Sequence, residues 1–271
     1  MVSVSDAAIA EFETNGAVCL RQVFSPPWIE KVQRGIAKNL VAPGPYAESL
    51  RDGPSEGVYF NDYFNFRSIP EFRAFVFNSP ASDIVRQLMR STSVTFYHEH
   101  VLVKEQGALK PTPWHQDQAY YPFNGEQACS IWLPVDDVPM ETTLKFVKGS
   151  HKTGWYYPRK FATSLNYPVK PNGCAVNDGN VYKNVPDATG IPEEDVLQWS
   201  LSVGDCVVFH MKTLHGANGN STRLNRRILS TRWFGDDVRM ADRAWEPSPP
   251  YTGTLREGDH PSKDPVLFPS L

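Results

Sequence analysis

The sequence contains few cysteines and no long apolar run, and both features narrow the classes of protein to which it can belong. Its four cysteines, Cys19, Cys129, Cys174 and Cys206, show no C-x-x-C spacing, so we expect free, buried thiols rather than disulfides or a zinc site. No uncharged apolar stretch approaches the length of a membrane span, and the N-terminal M-V-S-V-S-D lacks the regions of a signal peptide. We therefore expect a cytoplasmic protein that does not associate with membranes.

The sequence also lacks a large excess of charge of either sign, and it shows no internal repeat. Its 271 residues carry a formal net charge of -3 at pH 7, which argues against general binding of nucleic acid. Charged residues make up 21% and hydrophobic residues 41%, as is typical of a globular chain. A chain of this length can bury a sizeable core within one domain.

Proline and aromatic residues are plentiful, with 23 prolines and 12% aromatics, which favours short strands and turns over a helical bundle. Apolar periodicity and capping residues predict helices over residues 7–14, 28–40, 70–77 and 81–90, a short strand over 17–20, and a loop over 41–70. From Ser93 onward the pattern becomes that of strands, over residues 93–105, 128–135, 143–151, 196–201, 206–211 and 226–234.

These elements predict an α+β, mainly β fold: a double-stranded β-helix, the jelly-roll of cupins, with N-terminal helices packed on one sheet. We expect residues 1–271 to form a single domain, mainly helical over 1–92 and with its jelly-roll core over 93–235. The polar, glycine- and proline-rich segment 152–195 is a long insertion between strands, and such insertions are often functional. Residues 236–271 are expected to form a C-terminal tail.

The stretch P-T-P-W-H-Q-D-Q-A-Y-Y-P, residues 111–122, places two ionisable side chains among aromatic residues. On an extended strand, residues two apart point to the same side, so His115 and Asp117 are expected to face one spot. An imidazole and a carboxylate presented together favour a divalent metal, and two histidines with one carboxylate suit non-haem Fe(II). This hypothesis requires a second histidine from another strand.

Among the seven histidines, His215 has the most suggestive context. It follows an apolar strand, and a turn at Asn218-Gly219 leads into a returning strand that carries arginines. Arg226 comes eleven residues after His215, and a buried guanidinium can donate two parallel hydrogen bonds to a carboxylate. A metal at one strand end with an arginine one strand away predicts a site for a bidentate 2-oxo acid.

Several separated motifs now occur in order: H-Q-D-x-x-Y-x-P, W-L-P-V-D-D-V, K-G-S-H-K, then H-G and Arg226. Together with the N-terminal F-x-x-N-G-A-V-C-L-R-Q-V-F, they resemble the phytanoyl-CoA dioxygenase family of Fe(II)/2-oxoglutarate oxygenases over residues 8–235. A lone H-x-D would be weak, whereas the ordered set is specific.

The resemblance implies Fe(II) held by His115, Asp117 and His215, with the remaining positions taken by 2-oxoglutarate and O₂. It implies that Arg226 meets the far carboxylate of 2-oxoglutarate and that Trp132 and Leu102 lie beside it. The expected reaction is oxidation of a substrate C–H, usually hydroxylation, with release of succinate and CO₂. Residues 140–144, M-E-T-T-L, depart from the family's usual glycine-containing turn.

Substrate-contacting residues are expected on the strand that contains His98, His100, Leu102 and Lys104, which share one face by alternation. Tyr120, Tyr121, Trp155 and Arg232 are further candidates. A pocket that contains His98, His100 and Lys104 would favour an anionic or polar small molecule as the substrate.

Three other interpretations of these residues are open. His115 and Asp117 alone would fit a buried hydrogen-bonded pair without metal. H-E-H at 98–100 with Glu105 faintly resembles the H-x-H-x₄-E of a cupin that binds metal without 2-oxoglutarate, although Thr92 stands where such motifs have a glycine. The same fold could also serve as an inactive binding module.

Overall fold

The computed structural model describes residues 2–171, 180–186, 190–251 and 253–271. Its helices are α1 (Asp6–Asn15), α2 (Pro26–Val41), α3 (Pro70–Asn78) and α4 (Ala81–Leu88). Its strands are β1 (Ala17–Leu20), β2 (Glu48–Leu50), β3 (Tyr59–Tyr63), β4 (Thr95–Lys104), β5 (Thr112–His115), β6 (Phe123–Asn124), β7 (Ala128–Pro134), β8 (Leu144–Val147), β9 (Trp155–Tyr156), β10 (Tyr182–Lys183), β11 (Val196–Leu197), β12 (Cys206–His210), β13 (His215–Ala217), β14 (Arg226–Phe234) and β15 (Arg239–Met240).

The four helices begin and end close to where the sequence predicts. Ser5 caps α1 by accepting a hydrogen bond from the Ala8 amide, and Gly16 ends it in the left-handed conformation at φ 81°. The apolar stripe of α2, including Ile29, Val32 and Ile36, is buried. This stripe belongs to the same core cluster as Leu229 and Trp233 of the large sheet. The helices therefore cover one face of that sheet, as predicted.

Two sheets form the jelly-roll. The larger has the order β1-β12-β7-β14-β4-β3-β2, and the smaller has the order β11-β8-β13-β5. A second core cluster contains Trp132, Phe209 and Ile228 of the larger sheet together with Leu144 and Phe146 of the smaller one. Apolar side chains from both sheets thus pack together between them and form a core, as in other double-sheet folds.

The prediction of a loop over residues 41–70 is wrong in part, because β2 and β3 lie within it. They extend the large sheet beyond β4, with Tyr63 paired with His100 and Tyr59 paired with Lys104. Strands of three and five residues are too short for an alternation of apolar and polar residues to be recognised, because glycines, asparagines and prolines surround them.

The C-terminal segment 236–271 is packed against the core rather than extended from it as a tail. β15 pairs with β6, and the side chains of Trp245 and Phe268 are buried. The Phe96 amide donates to the Pro269 carbonyl, which fixes the last residues beside the start of β4. Exclusion of these large rings from water stabilises the segment against the sheet.

The described part of the insertion 152–195 forms two short parallel strands, β9 and β10. Cys174 lies outside the described residues. Cys129 and Cys206 are buried and free, as predicted, whereas Cys19 is free but only half-buried. Among the residues described, no helix has both the length and the apolar character needed to cross a membrane.

Candidate active site

His115 and His215 meet because the strands that carry them are neighbours in the smaller sheet. β5 ends at His115 and β13 begins at His215, and the two residues are directly paired in the antiparallel register. Their ring centroids lie 4.2 Å apart. Each ring is almost fully buried. The pairing of β5 with β13 thus brings together two histidines that are far apart in the sequence.

Asp117 reaches the same spot by a route that differs from the predicted one. The strand ends at His115, and Asp117 has helical dihedrals (φ -60°, ψ -44°) at the start of a 3₁₀ turn over Gln118–Tyr120. Its Oδ1 lies 3.4 Å from His115 Nε2 and 3.7 Å from His215 Nε2. The convergence was predicted correctly, but a turn produces it rather than strand alternation.

The two imidazoles are oriented for metal binding by backbone carbonyls. His115 Nδ1 lies 2.7 Å from the Pro113 carbonyl oxygen, and His215 Nδ1 lies 2.9 Å from that of Thr213. A carbonyl only accepts, so each Nδ1 carries the hydrogen and each Nε2 offers its lone pair. Burial, with the neighbouring His115, lowers the pKa of His215 to about 3, which keeps its ring neutral.

The second oxygen of Asp117 has its own partners. Ser130 Oγ donates to Oδ2 at 2.7 Å, and the Arg232 guanidinium lies 3.3 Å from the same oxygen. Burial alone would raise the pKa of Asp117, but Arg232 and the two histidines outweigh it and hold the pKa well below its usual range. The carboxylate is therefore ionised, with Oδ1 directed at the two imidazoles.

Within the described residues, His115, Asp117 and His215 form a group whose ligand atoms all lie within 4.8 Å of one another. Two neutral imidazole nitrogens and one carboxylate oxygen on one side of a cavity are the donor set that suits non-haem Fe(II). The residues present therefore fit the predicted metal.

We expect Ser130→Ala to weaken Fe(II) binding, because Asp117 Oδ2 would lose its hydrogen-bond donor. Removal of such a supporting partner typically costs about 10–100-fold in metal affinity. Anaerobic calorimetric titration with Fe(II) measures the change. Ser79→Ala is the matched control, since Ser79 is also buried but lies in the helical layer, and it should leave the affinity unchanged. Equal affinities for the wild type and Ser130→Ala would contradict the supporting role of Ser130.

An inner cavity extends from the three residues toward the start of β14, where Arg226 is 4% exposed. Arg226 donates to the Thr142 carbonyl and lies over the Trp132 ring, 5.7 Å from its centroid. Its Nε has no hydrogen-bond partner in the described part of the chain, and burial lowers the pKa of the guanidinium to about 10. Leu102 and Trp132 line the cavity, so the residues predicted to surround the co-substrate are brought together.

A larger cleft of about 690 Å³ opens on the other side of His115 and Asp117. Five of the predicted substrate-contacting residues line it: His98, His100, Tyr120, Tyr121 and Arg232. Lys104 and Trp155 are not among its lining residues. The Lys104 ammonium donates instead to the carbonyls of Lys110 and Asn218, and Trp155 packs at a tilt against Tyr182 in the insertion.

Sequence reasoning missed other residues around the cleft. Asn61 and Tyr63 come from β3, which the sequence gives little means to recognise, and Phe161 comes from the insertion. Ser130 is the alternate-position neighbour of Trp132 on β7, so its inward orientation could have been read from the strand pattern.

The cupin interpretation is not supported by the geometry. Glu99 faces the helical layer, where its carboxylate accepts from the Asn65 and Phe66 amides. Glu105 is exposed and accepts from the Val58 amide. Neither carboxylate is grouped with His98 and His100.

Comparison with known families gives the class of this chain. A model of the phytanoyl-CoA dioxygenase (PhyH) family matches residues 12–228, most of its length. The chain belongs to the phytanoyl-CoA dioxygenase family. Membership confirms the predicted class of Fe(II)/2-oxoglutarate dioxygenase, and with the His–Asp–His group it confirms the predicted cofactors.

One curated relative of this phytanoyl-CoA dioxygenase family member is the probable alpha-ketoglutarate-dependent hypophosphite dioxygenase of Stutzerimonas stutzeri. The two are 26% identical over 153 residues, which cover 56% of this chain and 46% of the relative. The match thus spans somewhat less than half of that protein.

Solved structures share the fold of this family member over nearly its whole length. The carbocyclase SnoK from nogalamycin biosynthesis gives a TM-score of 0.72 at 20% identity, covering 99% of this chain and 97% of SnoK. The epimerase SnoN, solved with Fe3+, alpha ketoglutarate and nogalamycin RO, gives 0.70 at 21% identity over 98% and 97%. EctD from S. alaskensis, in its apoform, gives 0.69 at 17% identity over 95% and 88%. These likenesses confirm the predicted double-stranded β-helix.

Proposed function

We propose that this chain is a dioxygenase that hydroxylates a C–H bond of a small molecule, with release of succinate and CO₂ from 2-oxoglutarate. One observation carries the proposal. The buried group of His115, Asp117 and His215 lies between an inner cavity that contains Arg226 and an outer cleft of about 690 Å³. Such a position allows a co-substrate on one side of a metal and a substrate on the other.

In this proposal His115 Nε2, His215 Nε2 and Asp117 Oδ1 hold Fe(II), and Arg226 binds the far carboxylate of 2-oxoglutarate. The bound iron and 2-oxoglutarate supply the oxidising power for attack on the C–H bond. Trp132 and Leu102 form the walls beside the co-substrate. Arg226 is buried and its Nε has no partner among the residues that the structure describes, so a carboxylate ion there would gain a strong charge-assisted hydrogen bond.

The outer cleft supports an organic substrate with rings rather than a small inorganic ion. Its lining includes the aromatic side chains of Tyr63, Tyr120, Tyr121, Phe161 and Tyr167. A cleft of this size, lined by aromatic residues with a few polar groups, is typical of sites for drug-sized molecules. We propose no nucleic-acid partner, one domain over residues 1–271, and a cytoplasmic location, which stays a prediction.

The proposal is tested by screening small molecules for stimulated succinate formation with Fe(II), 2-oxoglutarate and O₂. We expect a stimulating compound to yield a product heavier by one oxygen, and ¹⁸O₂ to label it. A product of unchanged mass, or one lighter by two hydrogens, would contradict hydroxylation while leaving the dioxygenase class intact. Absence of succinate even in uncoupled turnover would contradict both.

A further inference from the structure

His98 lines the outer cleft, and one of its ring nitrogen atoms is buried without a partner among the described residues. Its side chain is 2% exposed, and its Nε2 has no hydrogen-bond partner among the described residues. The ring is held edge-on between Tyr97 and Tyr121, at centroid distances of 4.5 Å and 5.2 Å. A buried polar atom without a partner is uncommon in folded proteins, so it needs an explanation.

The hydrogen bond at the other ring nitrogen decides what Nε2 can do. His98 Nδ1 lies 3.1 Å from the Glu99 carbonyl oxygen, which only accepts, so Nδ1 carries the ring hydrogen. Burial and the nearby Arg232 lower the pKa of His98 to about 3, so the ring stays neutral. Nε2 therefore bears a lone pair and acts only as a hydrogen-bond acceptor.

His100, two residues further along β4, is constrained in a similar way. Its Nε2 lies 3.2 Å from Asn61 Oδ1, and the amide nitrogen of Asn61 donates to Glu48 Oε2 at 3.4 Å. This assigns Oδ1 of Asn61 as the acceptor and Nε2 of His100 as the donor. His100 Nδ1 is then a second acceptor on the same wall.

Two buried donors of the cleft, Arg232 and Tyr120, already have partners within the protein. Arg232 donates to the Tyr121 hydroxyl and the Ser230 carbonyl and lies against Asp117. The Tyr120 hydroxyl donates to the Arg159 carbonyl. Lys104 was one reason to expect an anionic or polar substrate. Its ammonium donates instead to two backbone carbonyls outside the cleft. The two histidines of this wall thus offer hydrogen-bond acceptors, which favours a substrate that donates hydrogen bonds there.

We propose that the substrate donates a hydrogen bond from a hydroxyl or amino group to His98 Nε2, and that its ring framework lies among the tyrosines of the cleft. This inference rests on the proposed function, since it assigns the outer cleft to the substrate. His98 is a specificity-determining residue in this account, and a second donor on the substrate would meet His100 Nδ1.

The test uses matched pairs in which the donor is present or masked: naphthol with methoxynaphthalene, and naphthylamine with N,N-dimethylnaphthylamine. Each is added to the Fe(II)- and 2-oxoglutarate-loaded enzyme, and stimulated succinate release is measured. We expect the donor-bearing member of a pair to give a kcat/KM at least about tenfold higher than its masked form, because masking leaves Nε2 unpaired.

His98→Phe, which keeps a flat ring without an acceptor, should remove this preference. His98→Gln, which restores an acceptor oxygen, should recover part of it. His260→Phe is the matched control, because His260 lies outside the cleft, bonded to Ser262 and the Gly235 carbonyl. Uncoupled 2-oxoglutarate turnover should be equal in His260→Phe and the wild type.

A preference that survives in His98→Phe, equal stimulation by both members of every pair, or no stimulation by any of them would overturn the inference. Each of these results leaves uncoupled turnover in place. Loss of uncoupled turnover in the wild type would instead count against the proposed function, so the two failures are distinguishable.

Discussion

Replacement of His215 with alanine is expected to abolish 2-oxoglutarate turnover. The substitution removes one of the three ligand atoms that lie within 4.8 Å of one another, leaving His115 and Asp117. Two ligands cannot hold the metal in the facial arrangement that the chemistry requires. Succinate formation should fall to the level seen without protein, at any Fe(II) concentration that the assay tolerates.

The fold should survive this substitution, which makes the result interpretable. Asp117 keeps its partners Ser130 and Arg232, so the carboxylate is not left unpaired in the core. The circular dichroism spectrum and a single cooperative melting transition check the fold. His260→Ala should retain wild-type turnover. Measurable turnover by a folded His215→Ala variant would exclude His215 as a metal ligand.

Replacement of Arg226 with alanine should raise the KM for 2-oxoglutarate by about 30-fold or more. Loss of one partner of a buried, hydrogen-bonded charge pair costs about 2–5 kcal/mol, which corresponds to a factor of about 30 to 5,000. Arg226→Lys should be intermediate, because it keeps the charge but not the planar fork. Steady-state kinetics with 2-oxoglutarate as the varied substrate measures the effect.

Arg227→Ala is a matched control from the same strand. Arg227 points to the opposite face and pairs with Asp136 at 2.6 Å, away from the inner cavity. Its loss should leave the KM for 2-oxoglutarate close to that of the wild type. If both variants raised the KM equally, the effect would reflect general damage to β14 rather than recognition of the carboxylate.

Much of the site was predictable because its residues lie on regular strands. Strand alternation places Arg226 and Arg232 on the inward face of β14, and the antiparallel pair β5–β13 brings His115 to His215. Asp117 lies beside the two histidines as predicted, but for a different local reason, since the residue lies in a turn. The ordered motifs, rather than the strand argument, support its assignment as a metal ligand, which stays a prediction.

The parts that the sequence could not give depend on contacts between distant segments. β2 and β3 are the last two strands at one side of the large sheet, and they form only by pairing with their neighbours, so no local period marks them. Lys104 has the same alternation as His98 and His100, but it lies at the strand end, where the carbonyls of residues 110 and 218 bind its ammonium. The local sequence pattern predicts which face of a strand a side chain lies on. The contacts of a side chain at the end of a strand depend on loops that come from elsewhere in the sequence.

Anaerobic titration of the protein with Fe(II) and 2-oxoglutarate tests the central claim most directly. The account predicts a weak visible charge-transfer band that reports the chelate, present in the wild type and absent in His215→Ala. In Arg226→Ala the band should appear only at much higher 2-oxoglutarate concentrations. A wild-type protein that binds both components without the band, or a His215→Ala variant that retains it, would contradict the assignment of His115, Asp117 and His215 as the iron site.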